Sequence, residues 1–229
     1  MSSVASFMRC GRPGEREHSI EESTMTMRLQ EVHPALVHYP IAFLTLSVGS
    51  DVLGKLTGSR TLLGIGKLGM AMTAATGALA GVFGLIAQEE VELRDKRADD
   101  LLVTHRTLNM GFVTLATAMA IARARREKPT LRYLATGLAA MGAVAYSAYL
   151  GGKMVYEHGV GVAAADGIAE GHGPELRMDR AHEVREHAME DMRRGLRTAV
   201  KTMAEGKWVP ALGEGAEAVV PRAADGPQP

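Results

Sequence analysis

The feature that most constrains this chain is a set of four apolar segments between residues 34 and 162. Each segment is close to the roughly 20 residues that an α-helix needs to cross the hydrocarbon core of a bilayer. Short polar connections separate the segments, so neighbouring helices must run antiparallel. The sequence therefore predicts an all-α fold, an integral membrane four-helix bundle. The spans are expected at residues 35–54, 62–87, 101–122 and 131–150.

The segments that flank the bundle are polar. Residues 1–32 lack the apolar stretch of a signal peptide and are expected to be disordered. The transmembrane domain is expected to cover residues 33–162, followed by a polar tail over 163–229. Within the tail, apolar residues at steps of three and four predict a C-terminal amphipathic helix at about 175–204, lying on the bundle or on the membrane interface. The Gly-, Ala- and Pro-rich end is expected to be disordered.

Composition and motifs exclude several classes of protein. The 26 basic and 26 acidic residues balance, and there is no basic nucleic-acid-reading motif, so no nucleic-acid partner is expected. The single cysteine, Cys10, excludes an internal disulfide, a thiolate zinc site and covalently attached c-type haem. The HEVREH run at residues 182–187 has its histidines five apart, whereas the helical zinc signature needs four, so a metalloprotease is rejected. Any enzymatic role is expected to be that of a membrane redox component.

The distribution of basic residues predicts the orientation in the membrane. Eight lysines and arginines lie in or beside the two short connections that follow the first and third spans. Basic residues in short loops favour the cytoplasmic side. Both termini are therefore expected outside the cytoplasm, in a bacterial inner membrane.

Small residues in the second span predict a close helix contact. Gly77 and Gly81 form a GxxxG pair, with Ala80 and Gly84 beside them. In lipid such faces let helix backbones approach each other. A packing face within the bundle is favoured over a homodimer face.

Four histidines lie in or beside the predicted spans: His33, His38, His105 and His158. Counting membrane crossings puts all four at one membrane face, whichever way the chain is oriented. Ionisable groups in membrane segments are costly, and neutral histidine is the commonest metal ligand. The pattern therefore indicates a cofactor or metal site at that face.

The leading interpretation is a b-type haem held by His38 and His105, which lie at matching depths on different helices. Arg106 would then meet a haem propionate. Such a protein would pass electrons between a quinone and a periplasmic redox protein, the expected partners besides the lipid bilayer.

Two alternatives remain open. In the first, a divalent or cuprous metal ion is bound by histidine side chains. In the second, the histidines only cap helices or anchor them at the interface, in a structural or assembly protein without a cofactor. In the first alternative, the metal ligands would be His33, His38, His105 and His158. The side chains expected to orient the ligands are Asn109, Glu89, Glu90 and Glu157.

Three motifs mark the ends of the spans: HPALVHYPIAF at 33–43, THRTLNM at 104–110 and GGKMVYEHGVGV at 151–162. They resemble the signatures of a bacterial membrane family catalogued as domain-of-unknown-function family 2231, namely HPxxVHFPIA, a histidine that opens the third span, and GGxLVYxHGVGV. The resemblance implies four helices with the histidines as the site, and it implies no activity.

The chain departs from the family pattern in two places. Tyr39 stands where the family usually has phenylalanine. The family often has an acidic residue in the outer half of the second span, and the nearest candidates here, Glu89 and Glu90, follow the span.

Overall fold

The computed structural model describes residues 27–169 and 175–213, and all regular secondary structure in these ranges is helical. The prediction of an all-α fold is confirmed. Residues 1–26 and the end of the tail, both predicted to be disordered, lie outside the described residues. The helices are α1 Leu29–Leu36, α2 His38–Thr57, α3 Arg60–Ala87, α4 Lys96–Ala124, α5 Leu131–His158, α6 Ala181–Ala204 and α7 Pro210–Gly213.

Three stretches of helix in the described residues are long and apolar enough to cross a membrane. They are Leu29–Thr57, which joins α1 and α2, Arg60–Ala87 and Leu131–His158. These three correspond to the first, second and fourth predicted spans. Helix α4 occupies the place of the third span but is less apolar, because its first half carries polar and charged side chains.

Local signals explain where the long helices begin and end. Helix α2 ends at Gly58, whose φ of 72° is accessible to glycine at little cost. Ser59 then caps α3 by accepting a hydrogen bond from the Leu62 N–H. Asp95 caps α4 through the Ala98 N–H at 2.8 Å, so that helix begins five residues before the predicted span.

The first helix begins earlier than the apolar pattern predicts. Helix α1 starts at Leu29, inside the polar segment 1–32 that the sequence predicts to be disordered. The Leu29 side chain is buried, which anchors this turn. The helix is interrupted only at Val37, because Pro40 lacks the N–H that would bond to the carbonyl four residues earlier.

The long helices pack in sequence order. Helix α2 packs against α3, α3 against α4, and α4 against α5, while α5 returns to contact α2. A buried apolar cluster fills the space between them, and many large apolar side chains point outward, as expected for a surface that faces lipid. The cluster consists of Leu44, Val48, Met70, Met119, Ala140 and Val144.

The small-residue face of α3 packs inside the chain. A Cβ atom placed on Gly77 would lie 3.6 Å from the Phe112 ring and 3.7 Å from Pro40, and one on Gly81 would lie 3.8 Å from Val113. The face therefore serves the contact of α3 with α2 and α4, as the sequence favoured.

A buried ion pair joins three helices at the end of the bundle opposite the histidines. Arg123 of α4 donates from Nη2 to Asp51 Oδ1 at 2.7 Å and from Nε to Oδ2 at 2.9 Å. It also donates to the Leu63 carbonyl of α3 at 2.9 Å. Asp51 is 0% exposed and Arg123 1% exposed, so each charge is neutralised by its partner inside the protein.

Replacing Gly66 with alanine should break this pair. The new methyl carbon would collide with the Asp51 carboxylate, whose Oδ2 would lie only 3.0 Å away. We expect a loss of roughly 3–5 kcal/mol, the range for a buried ion pair that loses its geometry. Thermal unfolding in detergent, followed by circular dichroism, measures the effect.

Gly64→Ala is the matched control, because a Cβ atom there meets nothing within 4 Å. It should leave the unfolding midpoint unchanged or slightly raised. Equal stability of the two variants would show that the carboxylate is not confined as described.

Candidate functional site

Two of the four predicted histidines meet at one end of the bundle. The rings of His33 on α1 and His105 on α4 lie with their centroids 6.4 Å apart and their planes at 89°. Both side chains are partly buried. The pair therefore brings together helices that are distant in sequence, at the membrane face where the sequence places the site.

The ring of His33 is held by α3. Its Nδ1 lies 2.9 Å from the carbonyl oxygen of Ala80. A carbonyl can only accept, so Nδ1 carries the proton and donates it. A Cβ atom on Gly84 would lie 3.0 Å from the ring carbon Cε1, so the small face of α3 lets the imidazole lie directly on the helix backbone.

The ring of His105 is held in the same way by α5. Its Nδ1 donates to the Ser147 carbonyl at 2.9 Å, with the Ser147 hydroxyl oxygen 3.1 Å away. Asn109 donates to that hydroxyl and to the His105 carbonyl, each at 2.8 Å. A Cβ atom on Gly151 would lie 3.3 Å from the ring. Asn109 therefore contacts the Ser147 hydroxyl beside the His105 ring, and the orienting role predicted for it stays a prediction.

The hydrogen bonds fix the chemistry available to the two rings. With Nδ1 protonated and bound to a backbone carbonyl, the lone pair of each ring is on Nε2. This is the arrangement by which proteins orient metal-ligating histidines and raise their basicity. No hydrogen bond joins either Nε2 atom to another of the described residues.

The other two predicted ligands lie elsewhere. The side chain of His38 is exposed, and among the described residues no hydrogen bond or ring contact joins it to His33 or His105. His158 pairs with the α4 cap Asp95, at 2.9 Å between Nδ1 and Oδ2. That pair and the Ala98 N–H lower the pKa of Asp95, with the backbone hydrogen bond as the larger cause.

The tail helix closes the histidine end of the bundle. Helix α6 packs against α3 and α4, and Gly195 lies so close to the Leu85 carbonyl that a Cβ atom added there would collide with it. Arg106 donates to Gln88 Oε1 at 3.0 Å and to the hydroxyl of Thr202 on α6. The residue proposed to meet a propionate therefore ties the tail to the bundle.

A second cluster of ligand-type side chains joins α6 to the α3–α4 connection. Glu90, His187 and Asp191 place their nitrogen and oxygen atoms within 4.8 Å of one another. His187 Nε2 lies 2.7 Å from Glu90 Oε1 and 3.0 Å from Asp191 Oδ2. Burial raises the pKa of Asp191 to about 6, and the neighbouring Glu90 carboxylate acts in the same direction.

This cluster was not predicted from the sequence. The i,i+4 spacing of His187 and Asp191 was a usable signal, because residues four apart share a helix face. The rejection of HEVREH as a zincin signature is consistent with the structure, since His182 is highly exposed while His187 turns inward. Glu90 was expected to orient a ligand of the bundle site. It instead contacts His187, which lies 97 positions further along the chain.

Comparison with known families identifies the chain. A family model described as predicted membrane protein (DUF2231) matches residues 30–164. The chain belongs to this family of membrane proteins. The match covers α1 to α5 and both histidines of the pair, and leaves α6 and α7 outside. Searches of curated proteins and of solved structures gave no match.

Replacing Gly195 with alanine should displace the tail helix. The added carbon would collide with the Leu85 carbonyl and lie 2.7 Å from Gln88 Nε2. We expect limited trypsin digestion in detergent to cut the arginines of α6 several times faster than in the wild type, because local unfolding exposes them.

Gly111→Ala in α4 is the control, since a Cβ atom there meets nothing within 4 Å. It should digest like the wild type. Wild-type digestion of the Gly195 variant would mean that α6 is not docked through this contact.

Proposed function

We propose that this protein is a four-span membrane protein that binds a redox metal centre at one membrane face through His33 and His105. The observation that carries the proposal is the matched anchoring of the two rings: each Nδ1 donates to a carbonyl of a neighbouring helix at 2.9 Å. Such anchoring presents Nε2 as the ligand atom.

The spacing of the rings supports one metal between them. With metal–nitrogen bonds of about 2 Å, an ion held by Nε2 atoms on opposite sides requires ring centroids roughly 6 Å apart. The centroids are 6.4 Å apart. The sequence favours His38 as the partner of His105, but the anchored and ring-contacting histidine is His33.

The centre that we favour is a b-type haem, which His33 and His105 would hold from two different helices of a bundle. Such a group would supply electron transfer between a membrane quinone, which reaches it from the lipid, and a periplasmic redox protein, which reaches it from the water. A single metal ion is the second candidate, because the separation of 6.4 Å between the ring centroids also suits an ion held by the two histidines alone.

Helix α4 is the fourth span in this proposal. Lys55 near the end of α2 donates to the Pro129 carbonyl at 3.1 Å, so α5 begins at the face where α2 ends. Helix α3 ends at the opposite face, and α4 must cross to join them. Its charges are compatible with crossing because Arg106 and Arg123 are both buried inside the protein.

A reduced-minus-oxidised absorption spectrum of the protein purified in detergent tests the haem. We expect a Soret shift on reduction, lost in His33→Ala and in His105→Ala because each removes an axial ligand. His38→Ala is the matched control and should retain the spectrum.

Two results would contradict this assignment. A wild-type spectrum without a Soret band, after expression with ample haem, would rule out haem as the cofactor. Loss of the spectrum in His38→Ala with retention in His33→Ala returns the axial pair to His38 and His105.

The proposed orientation places the histidine face and both termini outside the cytoplasm of a bacterial inner membrane. After Cys10→Ser removes the only cysteine, Glu92→Cys and Glu127→Cys place single thiols at exposed positions on opposite faces. A membrane-impermeant maleimide should label Glu92→Cys in spheroplasts and label Glu127→Cys only after permeabilisation. The reverse pattern would invert the topology.

A further inference from the structure

We propose that Glu90, His187 and Asp191 form a binding site for a divalent transition-metal ion of the zinc class, which fastens the tail helix α6 to the bundle. The site lies outside the pair formed by His33 and His105, and the proposal does not depend on the function assigned to that pair. Its ligands come from two elements, the α3–α4 connection and α6.

The three ligand atoms already converge. His187 Nε2 lies 2.7 Å from Glu90 Oε1 and 3.0 Å from Asp191 Oδ2. Ligands bonded to zinc at about 2.0–2.2 Å in tetrahedral geometry stand roughly 3.3 Å apart. An ion therefore enters the cluster if the side chains open by a few tenths of an ångström.

His187 Nε2 carries a single hydrogen, which it cannot donate to both carboxylates. That hydrogen is donated to Glu90, and Asp191 Oδ2 is a buried oxygen that accepts no hydrogen bond from the described residues. Asp191 is 2% exposed, so water does not readily compensate for the missing partner. A divalent cation bonds to all three atoms at once and satisfies the orphaned oxygen.

The electrostatics favour a cation at the same point. Two buried carboxylates face each other, and Arg194, 2.8 Å from Asp191 Oδ1, neutralises only one negative charge. The guanidinium holds Oδ1 on the far side and leaves Oδ2 turned toward His187, the orienting role that outer-shell groups have at metal sites. Burial is the main cause of the raised pKa of Asp191, and the Glu90 carboxylate beside it acts in the same direction.

The donor set indicates the class of metal. One imidazole nitrogen and two carboxylate oxygens suit zinc and neighbouring divalent ions, whereas cuprous copper prefers sulfur ligands. Three protein ligands leave one coordination position for water. The His187 side chain is 29% exposed, which gives the ion a route from solvent.

The test uses Co²⁺ as a coloured substitute for Zn²⁺, titrated into the full chain in detergent after chelator treatment. We expect one equivalent of Co²⁺ with visible ligand-field absorption, displaced by Zn²⁺. His187→Gln should weaken binding at least about 100-fold, since loss of an outer-shell group alone costs up to that much. Added Zn²⁺ should also slow tryptic cleavage of α6 in the wild type and not in His187→Gln.

The matched control is His182→Gln, which removes the histidine of the exposed pair His182–Glu186 on the same helix. It should bind Co²⁺ like the wild type. Asp191→Asn is the second ligand variant and keeps the side-chain shape if His187→Gln fails to fold.

The double variant His33→Ala/His105→Ala separates this site from the bundle pair and should keep the Co²⁺ absorption. If the double variant loses it and His187→Gln keeps it, the ion lies between the bundle histidines, which overturns this proposal and leaves the proposed function standing. Absence of Co²⁺ binding by the wild type overturns the proposal outright.

Discussion

The buried pair of Asp51 and Arg123 is the interaction on which the rest of this structure depends. A charge in a membrane segment is costly unless it is paired or reaches water. Arg123 donates to the Asp51 carboxylate and also to the Leu63 carbonyl of α3, so α2, α3 and α4 meet at one fixed point. Because Arg123 is buried against Asp51, α4 does not expose this charge on the outer surface of the bundle.

The ion pair fixes one end of the bundle, and polar side chains of different helices meet at the opposite end. The rings of His33 and His105 are positioned by backbone carbonyls of α3 and α5, and glycines at 84 and 151 let each ring approach the helix. Carbonyls do not move independently of their helices. The geometry of the pair is thus set by the packing of the bundle, which is the preorganisation that a metal centre requires.

Much of the fold could be predicted from sequence, because apolar segments of membrane-spanning length are a strong local signal. The ring contact between His33 and His105 could not, since the choice of His38 rested on a first span expected to begin at residue 35. Helix α1 instead starts at Leu29 and carries His33 onto α3. The pairing of Asp51 with Arg123 could not be predicted either, because it spans 72 positions and has no local signature in the sequence.

The most direct test of the central claim is the transition-metal content of the wild-type protein, purified without chelator, against the His33→Ala/His105→Ala double variant. Mass spectrometry of the digested samples gives the metal per chain and removes the contribution of any site that both proteins share. We expect a difference close to one iron per chain for haem, or one other transition metal for a single ion. Equal metal content in the two proteins would contradict it.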